Sequence, residues 1–342
     1  MGAMAGMPGM GLAQATGSGP LTLTGRVFSY WNWGDPFMLI PILLLIVASA
    51  WLTVQEWRCR GARRKHVLWL LLAGCATLFA AGISPLGAAS PMYSFTFHMI
   101  QHICFAMIAP LFLLAALRSS AVAGHWLDYS PVGKANAFLC RLWLSVPVWS
   151  ILYFGWHLPP LYDFGMSSAF LHALMQFSFL VAGSWLLWGV ILPLDRESYS
   201  TGHAFSSIGY LTLSCISPTL LGTMLALAPP LYEIYREMPA ILGFTPLSDQ
   251  RLGGVIMIGF ENFFTFAICT YFFLILVRDS AGQSNQEAPA DSLDTAPKLV
   301  AQAGASSAEP AAATVTSGRT ATQCEAPSMT GATTATIAGA DF

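Results

Sequence analysis

The sequence predicts an all-α polytopic membrane protein: a helical bundle of seven transmembrane helices, with the N-terminus outside and the C-terminus in the cytoplasm. Three observations carry this. Hydrophobic residues make up 55 % of the chain and charged residues only 9 %, too apolar a balance for a soluble domain. Seven apolar stretches approach the ~20 residues that cross a hydrocarbon core as a helix. Basic residues fall mainly on alternate connecting loops, the pattern that sets orientation.

Taken in order, residues 1–36 form a flexible, Met/Gly-rich N-terminal segment, with Met1, Met4, Met7 and Met10 at a strict period of three. The segment lacks a basic region followed by a continuous apolar run, so it does not read as a secretory signal. Its thioethers suit a soft ion such as Cu(I), although an unstructured tail explains them as simply. The membrane domain spans residues 37–278. Its expected spans are Phe37–Val54, Val67–Ile83, Phe95–Leu117, Phe138–Trp156, Phe170–Leu192, Ile208–Ala228 and Gly253–Val277. The second and fourth are short for a crossing. Pro110, Pro147 and Pro218 interrupt the third, fourth and sixth; packed spans tolerate proline when neighbours satisfy the freed carbonyl. Residues 279–342 are an Ala/Ser/Thr-rich tail with too little apolar surface to fold.

Charge supplies the orientation. The loop after the first span carries Arg58, Arg60, Arg63, Arg64 and Lys65, and Arg118, Lys134, Arg141, Arg196 and Arg278 follow on the same side. The opposite loops hold only Arg26, Arg236 and Arg251. The basic side is the cytoplasmic one. A net charge of −2 and the absence of a basic stripe exclude a nucleic-acid partner; membrane lipid is the expected surroundings. The seven cysteines are scattered without a CxxC pair, so no disulfide framework or dedicated thiolate site is expected.

The histidines then sort by side. His66, His125 and His203 fall in cytoplasmic loops and are expected to be solvated. His98 and His102 are four residues apart at the start of the third span, one helical turn apart on one face. His157 ends the fourth span and His172 opens the fifth, so all four lie at one level near the outer surface. A lone histidine there is most simply a hydrogen-bonding partner for a carbonyl or headgroup. Four from separate stretches point instead to a metal or cofactor site. Met99, Met166, Met175 and Met224 lie near the same level, and the seventh span adds Asp249, Met257 and the deeper Glu261. Met99 follows His98 directly and so points about 100° away around the helix. Imidazole with thioether suits copper, whereas imidazole alone suits zinc, copper or iron. Asp163 and Asp249 are candidates to orient an imidazole. Two other chemistries use the same residues. A zinc-dependent intramembrane hydrolase would take Glu261 or Asp163 as general base, but no HExxH motif or nucleophile block is present. A haem protein would take axial histidines from facing helices, although four at one level do not suit two stacked haems.

These blocks resemble a known family. His98-Met-Ile-Gln-His102 before a proline-bearing apolar run is similar to the third-span signature of the multispan CtaG-type cytochrome c oxidase assembly factors. Trp156-His157-Leu-Pro with Leu161-Tyr-Asp163 is similar to the next block, and His172 to Trp188, with Phe179-x-x-Ala-Gly183, to the one after. Asp249-Gln-x-x-Gly253 leading to Met257 is similar to the last. The four occur in the family's order over roughly residues 37–278. The resemblance implies a multi-pass protein of the bacterial inner membrane that assists assembly of a haem–copper oxidase. It implies oxidase subunits as partners, Cu(I) received from a periplasmic donor, and His98, His102, His157, His172, Asp249 and Met257 as metal-site residues. It implies binding and transfer rather than catalysis. One departure stands out: in the family pattern a second His follows His172 by four residues, and here that position is Gln176, a poorer ligand for a soft metal. Glu261 and the Met-rich N-terminus have no counterpart in the resemblance.

Overall fold

The computed structural model describes residues 25, 28–59, 63–91, 93–123, 142–191, 201–237 and 242–286. The Met1–Met10 repeat, His125, Lys134, Arg141, Arg196 and the tail beyond Gln286 lie outside the described residues.

All regular structure among the described residues is helical: α1 (Pro36–Arg58), α2 (Arg64–Gly82), α3 (Pro85–Ala89), α4 (Phe95–Ile103), a π-helical turn (Cys104–Ile108), α5 (Ala109–Ser119), α6 (Leu142–His157), α7 (Pro159–Gly165), α8 (Ala169–Ile191), α9 (Thr201–Ser214), α10 (Ile216–Leu227), α11 (Glu233–Glu237) and α12 (Pro246–Gln286). Among the described residues, six helical stretches are long and apolar enough to cross a membrane, against the seven expected. The expected fourth span is represented by α6, whose 16 described residues fall short of the ~20 needed for a full crossing. Its expected start at Phe138 lies outside the described residues. At the other end, α12 continues to Gln286, past the expected boundary at residue 278.

Local sequence explains the helix starts. Asp35 precedes Pro36, and its carboxylate accepts the N–H groups of Phe37 and Met38 at 3.0 and 3.2 Å, a side-chain cap with proline at the first helical position. Ser84-Pro85 repeats the device at α3, with Ser84 Oγ accepting from Leu86 N. Leu158 stands before Pro159 in extended geometry, because proline disfavours helix in the residue ahead of it; this ends α6 at His157.

The α4–π–α5 rod and α8 form the centre of the bundle. Helix α8 packs against the π turn, α5 and α6, while α12 packs along α4, α9 and α10. Helices α1 and α12 flank this centre and turn apolar side chains outward, among them Leu44, Val47 and Trp51 on α1 and Phe263, Phe266 and Phe273 on α12. Such faces suit lipid.

The π turn has a local cause. Pro110 has no N–H to give the carbonyl of Ala106 four residues earlier, and the helix widens there. Across the gap lies Gly183 of α8. A β-carbon at Gly183 would overlap the Ala106 carbonyl, so only glycine lets α8 approach this closely. The Ala-Gly183 stretch picked out in the sequence is therefore a packing device beside the histidine helix.

Candidate functional site

The four histidines meet. His98 and His102 have ring centroids 4.3 Å apart, His98 and His172 5.3 Å, and His102 and His157 5.4 Å. None is more than 4 % exposed. They come from α4, the last turn of α6 and the first turn of α8, so the tertiary fold gathers residues up to 74 positions apart around one point.

Two of the four have a tautomer set by an acceptor oxygen at Nδ1. His157 Nδ1 lies 2.7 Å from the Tyr153 carbonyl one turn back. A carbonyl only accepts, so Nδ1 carries the hydrogen and Nε2 keeps its lone pair. His102 Nδ1 lies 3.2 Å from Gln176 Oε1. The orientation of that amide follows from its surroundings. Gln101 Nε2 donates to the Ala81 carbonyl at 3.0 Å and Gln101 Oε1 accepts from Ser90 Oγ at 2.5 Å. Gln101 Oε1 also accepts from Gln176 Nε2 at 3.0 Å. The Gln176 oxygen thus faces His102, whose Nδ1–H donates and whose Nε2 is left with its lone pair. The remaining Gln176 N–H points to His172 Nε2 at 3.3 Å.

Seven buried side-chain nitrogen and oxygen atoms among the described residues lack a hydrogen-bond partner, and four are imidazole nitrogens of this cluster: both of His98, Nε2 of His102 and Nε2 of His157. Each such group costs about 1–3 kcal/mol when left unmade, and most buried polar groups are satisfied. Four of the seven are concentrated in this one place. Met99, Met166 and Met175 are fully buried and Met257 is 1 % exposed, all in the same core. Among the described residues, no three His, Cys, Asp or Glu side chains already stand in coordinating geometry, because the imidazoles meet edge to face instead of converging on a shared point.

An aromatic layer closes the cluster at the end where α4 begins. Tyr162 lies 5.3 Å from His98 between ring centroids and stacks near Tyr232. Its hydroxyl meets that of Tyr235 at 2.8 Å, and Tyr235 donates to the Ser90 carbonyl at 3.1 Å. Tyr232 donates to the His157 carbonyl at 2.9 Å. Phe179 lies against His102 on the other side.

Several sequence expectations change. Asp249, expected as a ligand, is a helix cap: its oxygens accept Ser94 Oγ–H at 2.9 Å, Phe95 N–H at 2.6 Å and Thr96 N–H at 3.1 Å. It satisfies the orphan donors at the start of α4 and so orients the helix that carries His98 and His102. Gly253, one turn along α12, lets that helix lie against Phe95 and Met99, and Met257 follows in the core. Gln250 ties α12 to the Leu225–Leu231 turn through the Leu225 carbonyl and the Leu231 N–H. Asp249, Gln250 and Gly253 thus align α12 against α4 and the Leu225–Leu231 turn. Gln176 orients His102 and bridges Gln101 to His172. Asp163, expected to orient an imidazole, has a buried Oδ1 without a partner; Gln176 and the Tyr153 carbonyl take that role. Met224 is 60 % exposed and stands apart from the cluster. Glu261 is bonded to the Tyr153 hydroxyl, with no bond to an imidazole. His66 is exposed in the first turn of α2, as expected of a solvated residue; His203 lies within α9.

Gln101, Ser90, Tyr153, Tyr232 and Tyr235 were not singled out from sequence. Gln101 had a local signal, since it lies three residues after His98 on the same helical side; the tyrosines and Ser90 had none. Outside the spans, burial raises the Asp35 carboxyl above its ordinary value, partly offset by the bonds to Met38 and Phe37. Burial, with Glu233 nearby, also raises Asp163.

No curated protein and no solved structure matches the chain. The family profile described as cytochrome c oxidase caa3 assembly factor (Caa3_CtaG) matches residues 48–279, a stretch that contains the histidine cluster, Gln176, Asp249 and Met257. With more than half of its length matched and these blocks in place, the chain belongs to the cytochrome c oxidase caa3 assembly factor family.

Proposed function

We propose that the protein binds Cu(I) in the histidine cluster and transfers it to a haem–copper oxidase during assembly. The observation that carries this reading is the set of unpartnered imidazole nitrogens of His98, His102 and His157, buried together beside His172, with four buried methionines elsewhere in the bundle core. Neutral imidazoles and thioethers suit a soft cation, and the bonds from His102 and His157 to Gln176 and the Tyr153 carbonyl are the orienting contacts typical of ligating histidines. Copper is cargo here. Rings that meet edge to face must turn to enclose it, which suits a carrier that takes up and releases an ion. The role is binding and handover, not catalysis.

The chain sits in the bacterial inner membrane with seven spans, α6 supplying the fourth. The N-terminus is outside and the C-terminus cytoplasmic, on the asymmetry of basic loops. The cluster then faces the periplasm, where a copper donor meets it and an oxidase subunit docks. The zinc-hydrolase alternative has less support, because Glu261 is engaged by Tyr153 and no carboxylate reaches the imidazoles. The haem alternative has less support because the imidazoles pack against one another without a slot for a macrocycle.

Metal analysis of the purified full chain tests the proposal, comparing wild type with the His98→Ala/His102→Ala double variant. Wild type is expected to retain copper and the double variant to lose it, with oxidase assembly falling in cells that carry the variant. Wild type without Cu(I) uptake, together with unchanged assembly in the variant, overturns the reading.

A further inference from the structure

A narrow crevice opens beside His172, lined by Asn32, Asp35, Pro91, Ala169 and His172 and by the backbone around Ala88. Its volume is about 10 Å³, room for one water-sized group and no more. On one wall stands Asn32, only 6 % exposed. Its backbone N–H donates to the Ile83 carbonyl at 2.8 Å and its Nδ2 reaches the Gly82 carbonyl at 3.5 Å. The Asp35 carboxylate also accepts from the Asn32 side chain; with two acceptors facing Nδ2, Oδ1 is left buried without a partner. Asp35 is beside it, 3 % exposed, with Oδ1 serving the start of α1. Across the crevice is His172, whose ring centroid is 5.3 Å from that of His98.

We infer that this crevice is the mouth of the histidine cluster, through which one dehydrated transition-metal cation passes from the outer surface, held first by Asp35 and Asn32 Oδ1 and then by His172. The inference rests on the copper-transfer reading above and deepens it. Helix capping accounts for Asp35 Oδ1 but not for the orphaned Asn32 oxygen, which a cation would satisfy. The size admits an ion only after it sheds its water. Oxygen donors hold a soft cation weakly, so an ion resting there moves on to the imidazoles. Asp35 adds negative charge at the opening, which raises the capture rate of cations. Both residues precede residue 48, where the family match begins, so these two donors lie outside the matched stretch, while Pro91, Ala169 and His172 lie within it.

The test is the rate of Cu(I) uptake by detergent-purified full-length protein, read by stopped-flow against a coloured Cu(I) chelate. Asp35→Asn keeps a competent helix cap and removes the charge. Ala169→Leu fills the opening. Both variants are expected to reach wild-type stoichiometry and equilibrium affinity. Uptake is expected to slow about tenfold in Ala169→Leu, and several-fold in Asp35→Asn, with the second effect fading at high salt. Unchanged rates in folded variants overturn the mouth while leaving the cluster intact. No uptake by wild type overturns the copper reading itself, and the mouth with it. If Ala169→Leu does not fold, the Asp35→Asn rate and its salt dependence decide alone.

Discussion

Gln176 Oε1 lies 3.2 Å from His102 Nδ1, and this contact decides which nitrogen of His102 faces the cluster. The position where the family pattern implies an imidazole holds an amide that works through its neighbours, fixing one histidine and bonding a second. Gln176→Leu is expected to free the His102 ring and weaken Cu(I) binding by about 10- to 100-fold. A competition titration against a Cu(I) chelator reads this, with circular dichroism to confirm that the helices remain. Unchanged affinity would show that His102 is oriented by something else.

Asp249 satisfies the start of α4, so its removal acts on the site through the backbone. Asp249→Ala leaves the N–H groups of Phe95 and Thr96 and the Ser94 hydroxyl without their acceptor, a loss of about 1–3 kcal/mol. The melting temperature is expected to fall, and amide hydrogen exchange at the first turn of α4 to accelerate. Were Asp249 a metal ligand instead, copper would be lost with no change in exchange there.

Gly183 and Ala106 meet where α8 crosses the π turn. Gly183→Ala places a methyl group on the Ala106 carbonyl, and backbone cannot yield as a flexible side chain can. Overpacking of this kind costs about 1–3 kcal/mol. The expected result is a lower melting temperature with copper stoichiometry retained in the protein that remains folded. A neutral effect would mean that α8 can shift outward freely.

Glu261 and Tyr153 form a buried pair. Tyr153→Phe removes the donor and leaves Glu261 short of a partner, so it is expected to destabilise by about 1–3 kcal/mol. Glu261→Gln keeps an acceptor and is expected to cost less. Neither should abolish Cu(I) binding. Loss of a hydrolytic activity in Glu261→Gln alone would instead favour a zinc enzyme.

Asp35 makes stability depend on pH in an identifiable direction. Burial raises its carboxyl above the ordinary range, so the folded chain holds that proton more tightly than the unfolded chain. Stability is therefore gained as pH falls through the raised value and lost as pH rises through it. Asp35→Asn keeps the cap and removes the titration. The melting temperature of wild type minus that of Asp35→Asn is expected to rise on acidification; a flat difference would show that Asp35 carries no such shift.

The sequence by itself determined the class of the molecule and the membership of the cluster. Apolar runs of spanning length cannot be satisfied in water, and backbone in lipid must be helical, so an all-helical membrane chain followed from composition and spacing. His98 and His102 were legible as a pair because helical periodicity is local. His157 and His172 were legible as partners because span boundaries assign depth. The roles within the site were a different matter. Nothing local separates a carboxylate that binds metal from one that caps a distant helix, and Asp249 reaches α4 from more than 150 residues away. Gln176 read as a lost ligand until Gln101, Ser90 and the Ala81 carbonyl turned its oxygen toward His102. Asn32 had no local signal and Asp35 only that of a helix cap ahead of Pro36, since their place beside the cluster depends on His172 lying across the crevice. Hydrogen-bond direction and burial arise only when separate helices pack, and at this site they decide which atoms are left free to bind.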